Sequence, residues 1–520
     1  MDLRLNGDDE RCGNRTMLNE SDSKALLASY GVPVVEDTVA HDVAGAVRLA
    51  AEVGFPVALK ALGERLGHKS ERGLVRLHLT AAEQVGRAAR EMAAEAGADL
   101  EGFLVEPMVI GRREMAAGLF RDDQFGPVVM FGLGGVFAEV LDDVVFRLAP
   151  LDDGEAAHML DLLDSSALLG GVRGEAAGDR DALVRTLTGL SRLAEERPDV
   201  LEVDINPLIV APDGSVTAVD ALVVRGEERR TSVDRPPVPP TDIGRIFHPR
   251  SVAVVGASAE FGKWGHMLFT SIAAGGFKGP IYLVNPKGGE ISGRPVFRSV
   301  GEIPGQVDLA VVTVPARHVL GLLPELEAKG IASMVLISSG FAETGPVGRE
   351  LERQLVDEAR DRGILILGPN TMGLCNPHRS FYCTGAISRP EPGPTAFMSQ
   401  SGNMGLQLLC FAERQGIGIR AFGGTGNEGM ITIEDVLDAF AVDQLTRTVL
   451  LYIESVKNGR RFYSAAREVS RQKPVVVLKG GRTEAGGVAA ASHTGALASD
   501  HRIFDAACRQ AGIVVADRPT

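Results

Sequence analysis

From Ser251 onward the chain alternates two kinds of segment, and that alternation limits the fold more than any other feature. Apolar runs such as SVAVVGAS, IYLVNP, LAVVTVP, SMVLISSG and ILILGPN are short, rich in Val, Ile and Leu, and end in Gly, Pro, Asn or Ser. Helical stretches separate them. Runs of this kind are strands covered on both faces, and the helices between them are the crossovers of a parallel sheet. The pattern predicts a doubly wound α/β unit over residues 242–376. A connection is expected over 377–393, around SRPEPGP. The rhythm then returns in TAFMSQSG, RAFGGTGN, TVLLYIES and PVVVLKGG, which predicts another α/β unit over 394–520.

The N-terminal part follows a different pattern. Residues 1–17 are polar and are expected as a disordered leader. Helical periodicity starts after Asp22 and Ser23 in KALLASYG, with Gly31 as the stop. The helix AGAVRLAAEVG leads into the strand PVALKAL, and GLVRLHL, GFLVEPMV and PVVMFGLGG are further strands. LEVDINPLIV and VTAVDALVV flank APDGS and predict a hairpin, closing a unit over 18–226. The charged, Pro-rich stretch GEERRTSVDRPPVPPTD is expected as a connection over 227–241.

Composition narrows the function classes. With 520 residues the chain is too long for one hydrophobic core. Its net charge of −14 argues against a nucleic-acid partner, which would call for a basic face. Five cysteines without a CxxC pattern fit reduced thiols in a cytoplasm. No apolar run is long enough for a bilayer, and the N-terminus lacks the apolar core of a signal peptide. A cytoplasmic protein without membrane contact is therefore expected.

Several residues carry chemistry. In VAVVGASAEFGKWG a strand runs through Gly256 into a helix start, an arrangement that suits a pyrophosphate. A nicotinamide dinucleotide would call for an acid at the end of the next strand. That strand instead ends in Asn285-Pro286-Lys287, and a lysine there suits an extra phosphate such as the one on the ribose of CoA. KGGRTEAGGVAAASHTGALASD surrounds His493 with small residues and predicts a surface loop. Gly402 and Asn403 follow a strand end and should begin a helix whose N–H groups would hold a phosphoryl group on that histidine. Glu454 ends the strand TVLLYIE, where a carboxylate would fix the imidazole tautomer. Lys60 on PVALK suits nucleotide phosphates, although a solvated strand-end lysine is the commoner case. Asp204 and Asn206, alternate residues of one strand, share a face, and with Asp220 they offer hard oxygen ligands for Mg²⁺. From spacing alone a polar outer hairpin face is an equal reading.

Taken together, the three units resemble the ADP-forming acyl-CoA synthetases, relatives of succinyl-CoA synthetase. The resemblance runs from about residue 18 to the end. FGPVVMFGLGGVFAEVLDDVVFRLAPL and EVDINPL resemble that family's ATP-grasp domain. GAS, NPK, TVPA, SSGF and GPNTMG resemble its Rossmann-like CoA-binding domain, and SQSGN with SHTGA its flavodoxin-like ligase domain. The resemblance implies an acid–CoA ligase that uses ATP, CoA and Mg²⁺ and releases ADP and phosphate through a phosphohistidine. It implies Lys60, Glu106 and Glu114 on ATP, and Asn206 and Asp220, helped by Asp204, on Mg²⁺. It further implies Gly256, Ser258, Lys287 and Asn370 on CoA, Ser401, Gly402 and Asn403 on phosphate, Glu454 beside the histidine, and His493 as carrier. In GHKS, His68 is implied as a second carrier, although Glu71, Arg72 and Leu74 depart from the usual pattern there.

Two departures concern organisation. The ATP-grasp unit comes first, the reverse of many single-chain relatives. A second flavodoxin-like ligase domain, usual in the family, has no counterpart in these residues. A homo- or hetero-oligomer is expected, and that domain belongs either to another chain or to a longer form of this one. The alternative is a binding subunit for CoA and nucleotide that does not turn over by itself.

Overall fold

The computed structural model describes residues 15–63, 66, 69, 72–135, 141, 143–227, 235–481 and 501–517. It is an α/β protein of two compact units, 1–231 and 232–520.

The first unit holds two antiparallel sheets. In the larger, Val200–Val210 lies between Ala221–Arg225 and Arg113–Asp122, followed outward by Gly126–Leu133 and Val144–Leu148. Val203, Ile205, Val223, Ala117 and Leu119 pack with Leu183, Leu187 and Leu190 of the helix Arg180–Glu196. In the smaller, Val57–Leu62 lies between Gly102–Pro107 and Val75–Leu79. Val57, Leu59, Ala61, Phe103 and Val105 pack on the helices Val43–Val53 and Ala82–Ala96. A strand residue next to a core residue faces the other way. Each sheet thus has one face committed to helices and one left for polar side chains. The first helix starts earlier than expected. It runs Glu20–Ser29, because Asn19 caps it by accepting from the Asp22 N–H. Asp22 and Ser23, expected as its start, sit inside it.

The second unit carries both parallel sheets. In one, Ile281–Val284, Val252–Val255, Leu309–Val312, Ser333–Leu336 and Leu365–Leu367 lie side by side and parallel. Successive strands are added on opposite sides of Val252–Val255, so a crevice opens at the C-terminal ends of the central strands. In the other, Ile419–Gly424, Pro392–Ser399, Thr448–Ile453, Val475–Lys479 and Val514–Ala516 are parallel.

Within the expected connections the described residues are structured. Gly373–Asn376 and Phe381–Thr384 form a hairpin that extends this last sheet beside Ile419–Gly424. The stretch 377–393 thus contains a buried strand, because Phe381 and Cys383 are fully buried, with the Phe381 ring against Phe277. Residues 235–241 are also anchored. Arg235 pairs with Asp435, Val238 N–H donates to the same carboxylate at 3.1 Å, and Pro240–Phe247 is helical. No described helix is long and apolar enough to cross a membrane.

Close packing at one glycine gives a test of this unit. A Cβ on Gly265 would stand 2.1 Å from the Gly256 carbonyl oxygen, against backbone that cannot yield. Gly265→Ala is expected to cost about 2–3 kcal/mol in denaturant unfolding of the second unit.

Candidate active site

The first unit concentrates charge between its sheets. Lys60 and Glu106 stand on the face of the small sheet turned away from the helices Val43–Val53 and Ala82–Ala96, next to the core residues Leu59 and Val105. Lys60 Nζ donates to Glu20 Oε1 at 2.6 Å, to the main-chain oxygen of Val219, and lies 3.3 Å from Glu106 Oε2. Lys24 donates to Glu20 at 2.7 Å and to Glu106. Lys69 donates to the other Glu20 oxygen at 2.6 Å. Three lysines therefore converge on two buried carboxylates. Burial alone would raise the Glu20 pKa, but Lys60, Lys24 and Lys69 outweigh it and hold the carboxyl far below the usual range. Burial likewise opposes the Lys60 charge, and Glu20, Asp220 and Glu106 overcome it and push its pKa up.

Glu20 and Lys24 were absent from the expected set. Their i, i+4 spacing is the available sequence signal, but such pairs usually lie on exposed helix faces.

The candidate metal ligands occupy the helix-free face of the large sheet. Val203, Ile205 and Ala221 point into the core, so Asp204 and Asn206 point away from it. The pairing Ala221↔Ile205, extended by one residue, sets Asp220 beside Asn206. Glu114 lies on that face as well, where Gly135 curls over it so closely that a Cβ would stand 2.1 Å from Glu114 Oε2. Burial and the charge of Glu20 push the Asp220 carboxyl up. Two carboxylates and an amide oxygen, one of them disfavouring its own charge, suit a hard divalent cation. Among the described residues no three His, Cys, Asp or Glu side chains cluster tightly enough to form a preformed metal cage. His68 lies outside the described residues.

The second unit has a cleft of about 560 Å³ at the C-terminal edge of its last sheet. Ser401, Gly402, Asn403, Glu454 and Asn370 all line it, together with Gln400, Asn427 and Glu428. The helix Gly402–Arg414 begins there with Ser401 as its cap residue, yet the Ser401 side chain makes no capping bond. The first internal bond is Gly405 N–H to Ser401 oxygen, so the N–H groups of Gly402, Asn403 and Met404 have no acceptor within the helix. Gly402 is required by contact, because a Cβ would lie 2.0 Å from Met372 Cγ.

Glu454 follows Thr448–Ile453 directly. Its main-chain oxygen accepts from Lys479 Nζ at 2.7 Å, and its N–H donates to Gln400 Oε1 at 2.6 Å. Gly480 packs against it, since a Cβ there would be 3.3 Å from Glu454 Cγ. Gly480 thus lies next to Glu454. His493 lies outside the described residues.

Glu428 was also missed. It is buried, has φ +57°, and accepts from Gln400 Nε2 at 3.0 Å. Burial first, then the neighbouring Glu434, push its pKa up to about 7. A lone acid inside GTGNEGM gives no sequence hint of this.

The expected CoA residues divide between two places. Gly256 (φ +95°) and Ser258 follow Val252–Val255, and Lys287 follows the adjacent strand Ile281–Val284. Asn285 Nδ2 donates to Ala257 oxygen at 2.8 Å and ties these two turns together. Lys287 is exposed and has no carboxylate partner among the described residues. Asn370 (φ +59°) instead lines the cleft with Glu454 and donates to Asn427 Oδ1 at 3.2 Å.

Comparison with known proteins follows the same divisions. Residues 10–224 match the ATP-grasp domain family, 250–377 the CoA binding domain family, and 392–520 the succinyl-CoA ligase like flavodoxin domain family. The chain is 38% identical over 501 residues to the acetate–CoA ligase [ADP-forming] II of Archaeoglobus fulgidus, covering 96% of this chain and 73% of that protein. It is 45% identical to the alpha subunit of acetate–CoA ligase [ADP-forming] I of Pyrococcus furiosus, over 52% of this chain and 59% of that one. Among solved structures it resembles the dinucleotide forming acetyl-coenzyme A synthetase 1 of Ca. Korarchaeum cryptofilum in complex with phosphate and ADP. The TM-score is 0.50 at 37% identity, covering 53% of this chain and 60% of that chain. The chain therefore spans between 59% and 73% of the length of these relatives.

Two predictions follow from the buried acids. Glu20→Ala strands three lysines and is expected to cost the first unit about 3–5 kcal/mol in chemical unfolding. Glu428 has the opposite sign. Its folded pKa lies above the unfolded one, so it lowers stability progressively as pH rises from about 4.5 to about 7. Glu428→Gln, which mimics the neutral acid, should remove that slope, by roughly 3 kcal/mol at most, in unfolding measured across that window.

Proposed function

The chain belongs to the ADP-forming acetate–CoA ligase family, and on that premise we propose that it joins a carboxylic acid to CoA using ATP. The observation that carries this reading is the pairing, at one cleft, of Glu454 with an uncapped helix start at Ser401–Asn403.

A carboxylate is a poor electrophile, and an acyl phosphate makes it a good one. In the first step the bond from the β,γ-bridging oxygen of ATP to the γ-phosphorus breaks. A bond from that phosphorus to His493 nitrogen forms, and ADP leaves. Lys60, Glu106 and Glu114 would hold the nucleotide. Lys60 is charged and already placed between the sheets, and it would neutralise the transferring phosphoryl group. Asn206, Asp220 and Asp204 would hold Mg²⁺, which supplies further charge neutralisation at the phosphates.

The second step breaks the P–N bond and forms a P–O bond to the acid. Glu454 would accept a hydrogen bond from the imidazole and fix its tautomer. The N–H groups of Gly402, Asn403 and Met404 would cradle the phosphoryl oxygens. In the third step CoA sulfur attacks the acyl carbon, the thiol proton is lost, the C–O bond breaks, and phosphate leaves. Gly256, Ser258 and Lys287 would bind CoA on the neighbouring sheet, with Asn370 nearer the acid. The ATP-side residues and Glu454 belong to different units, and a carrier residue would take the phosphoryl group from one to the other. The segment bearing His493 would carry it, with Gly480, Gly481, Gly486 and Gly487 as hinges; the last two lie outside the described residues. His68 would serve as a second carrier.

Acetate is the first acid to try, because the two relatives compared above are acetate–CoA ligases and the apolar side chains lining the cleft are Ala342, Val356 and Met372. The test supplies the pure chain with Mg²⁺, ATP, CoA and a panel of acids, and follows acyl-CoA and nucleotide together. ADP and acyl-CoA should appear in equal amounts. Glu454→Gln should lower the rate about 10²- to 10³-fold, and His493→Ala should abolish it. AMP in place of ADP, or unchanged turnover in His493→Ala, would overturn the reading.

A further inference from the structure

We propose that Gln400 is the positioning residue of the acid-side site, clamping the main chain at Glu454 and Ser455 so that the Glu454 carboxylate is held beside the helix start at Gly402. The proposal rests on the function argued above, but its geometry does not.

Gln400 occupies the joint between two elements. It follows Ser399, the last residue of a strand whose parallel neighbour is Thr448–Ile453, with Ser399 opposite Tyr452. Its own N–H continues that ladder to Tyr452 oxygen at 3.1 Å. The neighbouring strand then ends, and the N–H groups of Glu454 and Ser455 lose their ladder partners. Gln400 Oε1 replaces both, accepting from Glu454 N–H at 2.6 Å and Ser455 N–H at 3.0 Å. Nε2 donates to Ser455 oxygen at 2.7 Å and to Glu428 Oε1 at 3.0 Å. Both donors and both acceptor positions of the amide are used.

The set has one orientation. Exchanging oxygen and nitrogen would aim the amide NH₂ at two N–H groups and its oxygen at a carbonyl and a carboxyl. A glutamate would do the same at the second position. The side chain is 9% exposed and Glu428 is 3% exposed, so water does not compete freely. From the other side Lys479 Nζ holds Glu454 oxygen at 2.7 Å. The peptide bearing Glu454 is therefore held at its nitrogen by Gln400 and at its carbonyl by a lysine. One residue after Gln400 is Ser401, the cap position of the helix whose free N–H groups would cradle phosphate. A single amide thus ties the histidine's partner to the phosphoryl cradle.

Misplacement of a catalytic group by about 1 Å costs on the order of 10²-fold in rate. The experiment charges the full chain with γ-³²P-labelled ATP and Mg²⁺, or from the other side with acetyl-CoA and ³²P-phosphate. It then follows loss of label on adding acid and CoA. Gln400→Ala and Gln400→Glu should slow discharge by about 10- to 100-fold, while charging by ATP and CoA affinity stay within about threefold. On a Glu454→Gln background, Gln400→Ala should slow discharge no further. A general packing defect would instead lower charging and CoA binding too, and would add to Glu454→Gln.

A crystal structure of Gln400→Glu reads the clamp independently of activity. The Glu454 main chain should move by about 1 Å, and an unmoved Glu454 would overturn the proposal. So would wild-type discharge in both variants, or full additivity with Glu454→Gln. Failure of the functional reading looks different: the wild-type chain would take no label from either side.

Discussion

The parallel register that sets Ser399 opposite Tyr452 is the constraint on which the acid-side site depends. Parallel strands end on the same edge, so one register places a helix start and a strand-end carboxylate side by side. Ser399 leads into the uncapped helix at Gly402, and Tyr452 leads into Glu454 two residues on. The next strand in the sheet, Val475–Lys479, delivers Lys479 and Gly480 to the same edge and starts the segment that contains His493. A slip of one residue in any of these pairings would turn Glu454 from the edge, because side chains alternate along a strand.

The first unit solves a different problem. Lys60 must stay charged while buried, and a buried charge is tolerated only with close partners. Glu20 and Glu106 supply them, and Val219 oxygen adds a neutral acceptor. The cost of burial is shared over five side chains, which explains why the Glu20 carboxyl is held far below its usual pKa and the Lys60 ammonium above its own. The same arrangement keeps three ammonium groups in one place, between a lysine-bearing sheet and a sheet that carries carboxylates. This is the charge distribution that a triphosphate with a divalent cation would complete.

Much of the fold was legible in the sequence. Periodicity located the parallel strands, because covered strands in α/β units are short apolar runs with turn residues at their ends. The helix start at Gly402 was legible from the strand end before it. Other features were hidden for physical reasons. Glu20 and Lys24 form an i, i+4 pair that looks like a solvated helix face, and only the fold turns that face inward. Phe381–Thr384 is buried at every position, so it lacks the alternation that marks an edge strand, and the prolines around it pointed to a connection. Arg235 and Val238 lie in a charged, Pro-rich stretch, but their partner Asp435 is 200 and 197 residues away along the chain. Gln400 was visible in SQSGN only as part of a motif. Its bonds to Glu454, Ser455 and Glu428 depend on three segments meeting at one edge.

The proposed function turns on a phosphoryl group that would rest on His493 between ATP and the acid. The most direct measurement incubates the pure chain with Mg²⁺ and γ-³²P-labelled ATP, without acid or CoA, and tests the protein for label that is acid-labile and base-stable. Such label is expected in the wild type, and its loss is expected in His493→Ala. Label that persists in His493→Ala with an undiminished yield, or label that is stable in acid, would contradict it.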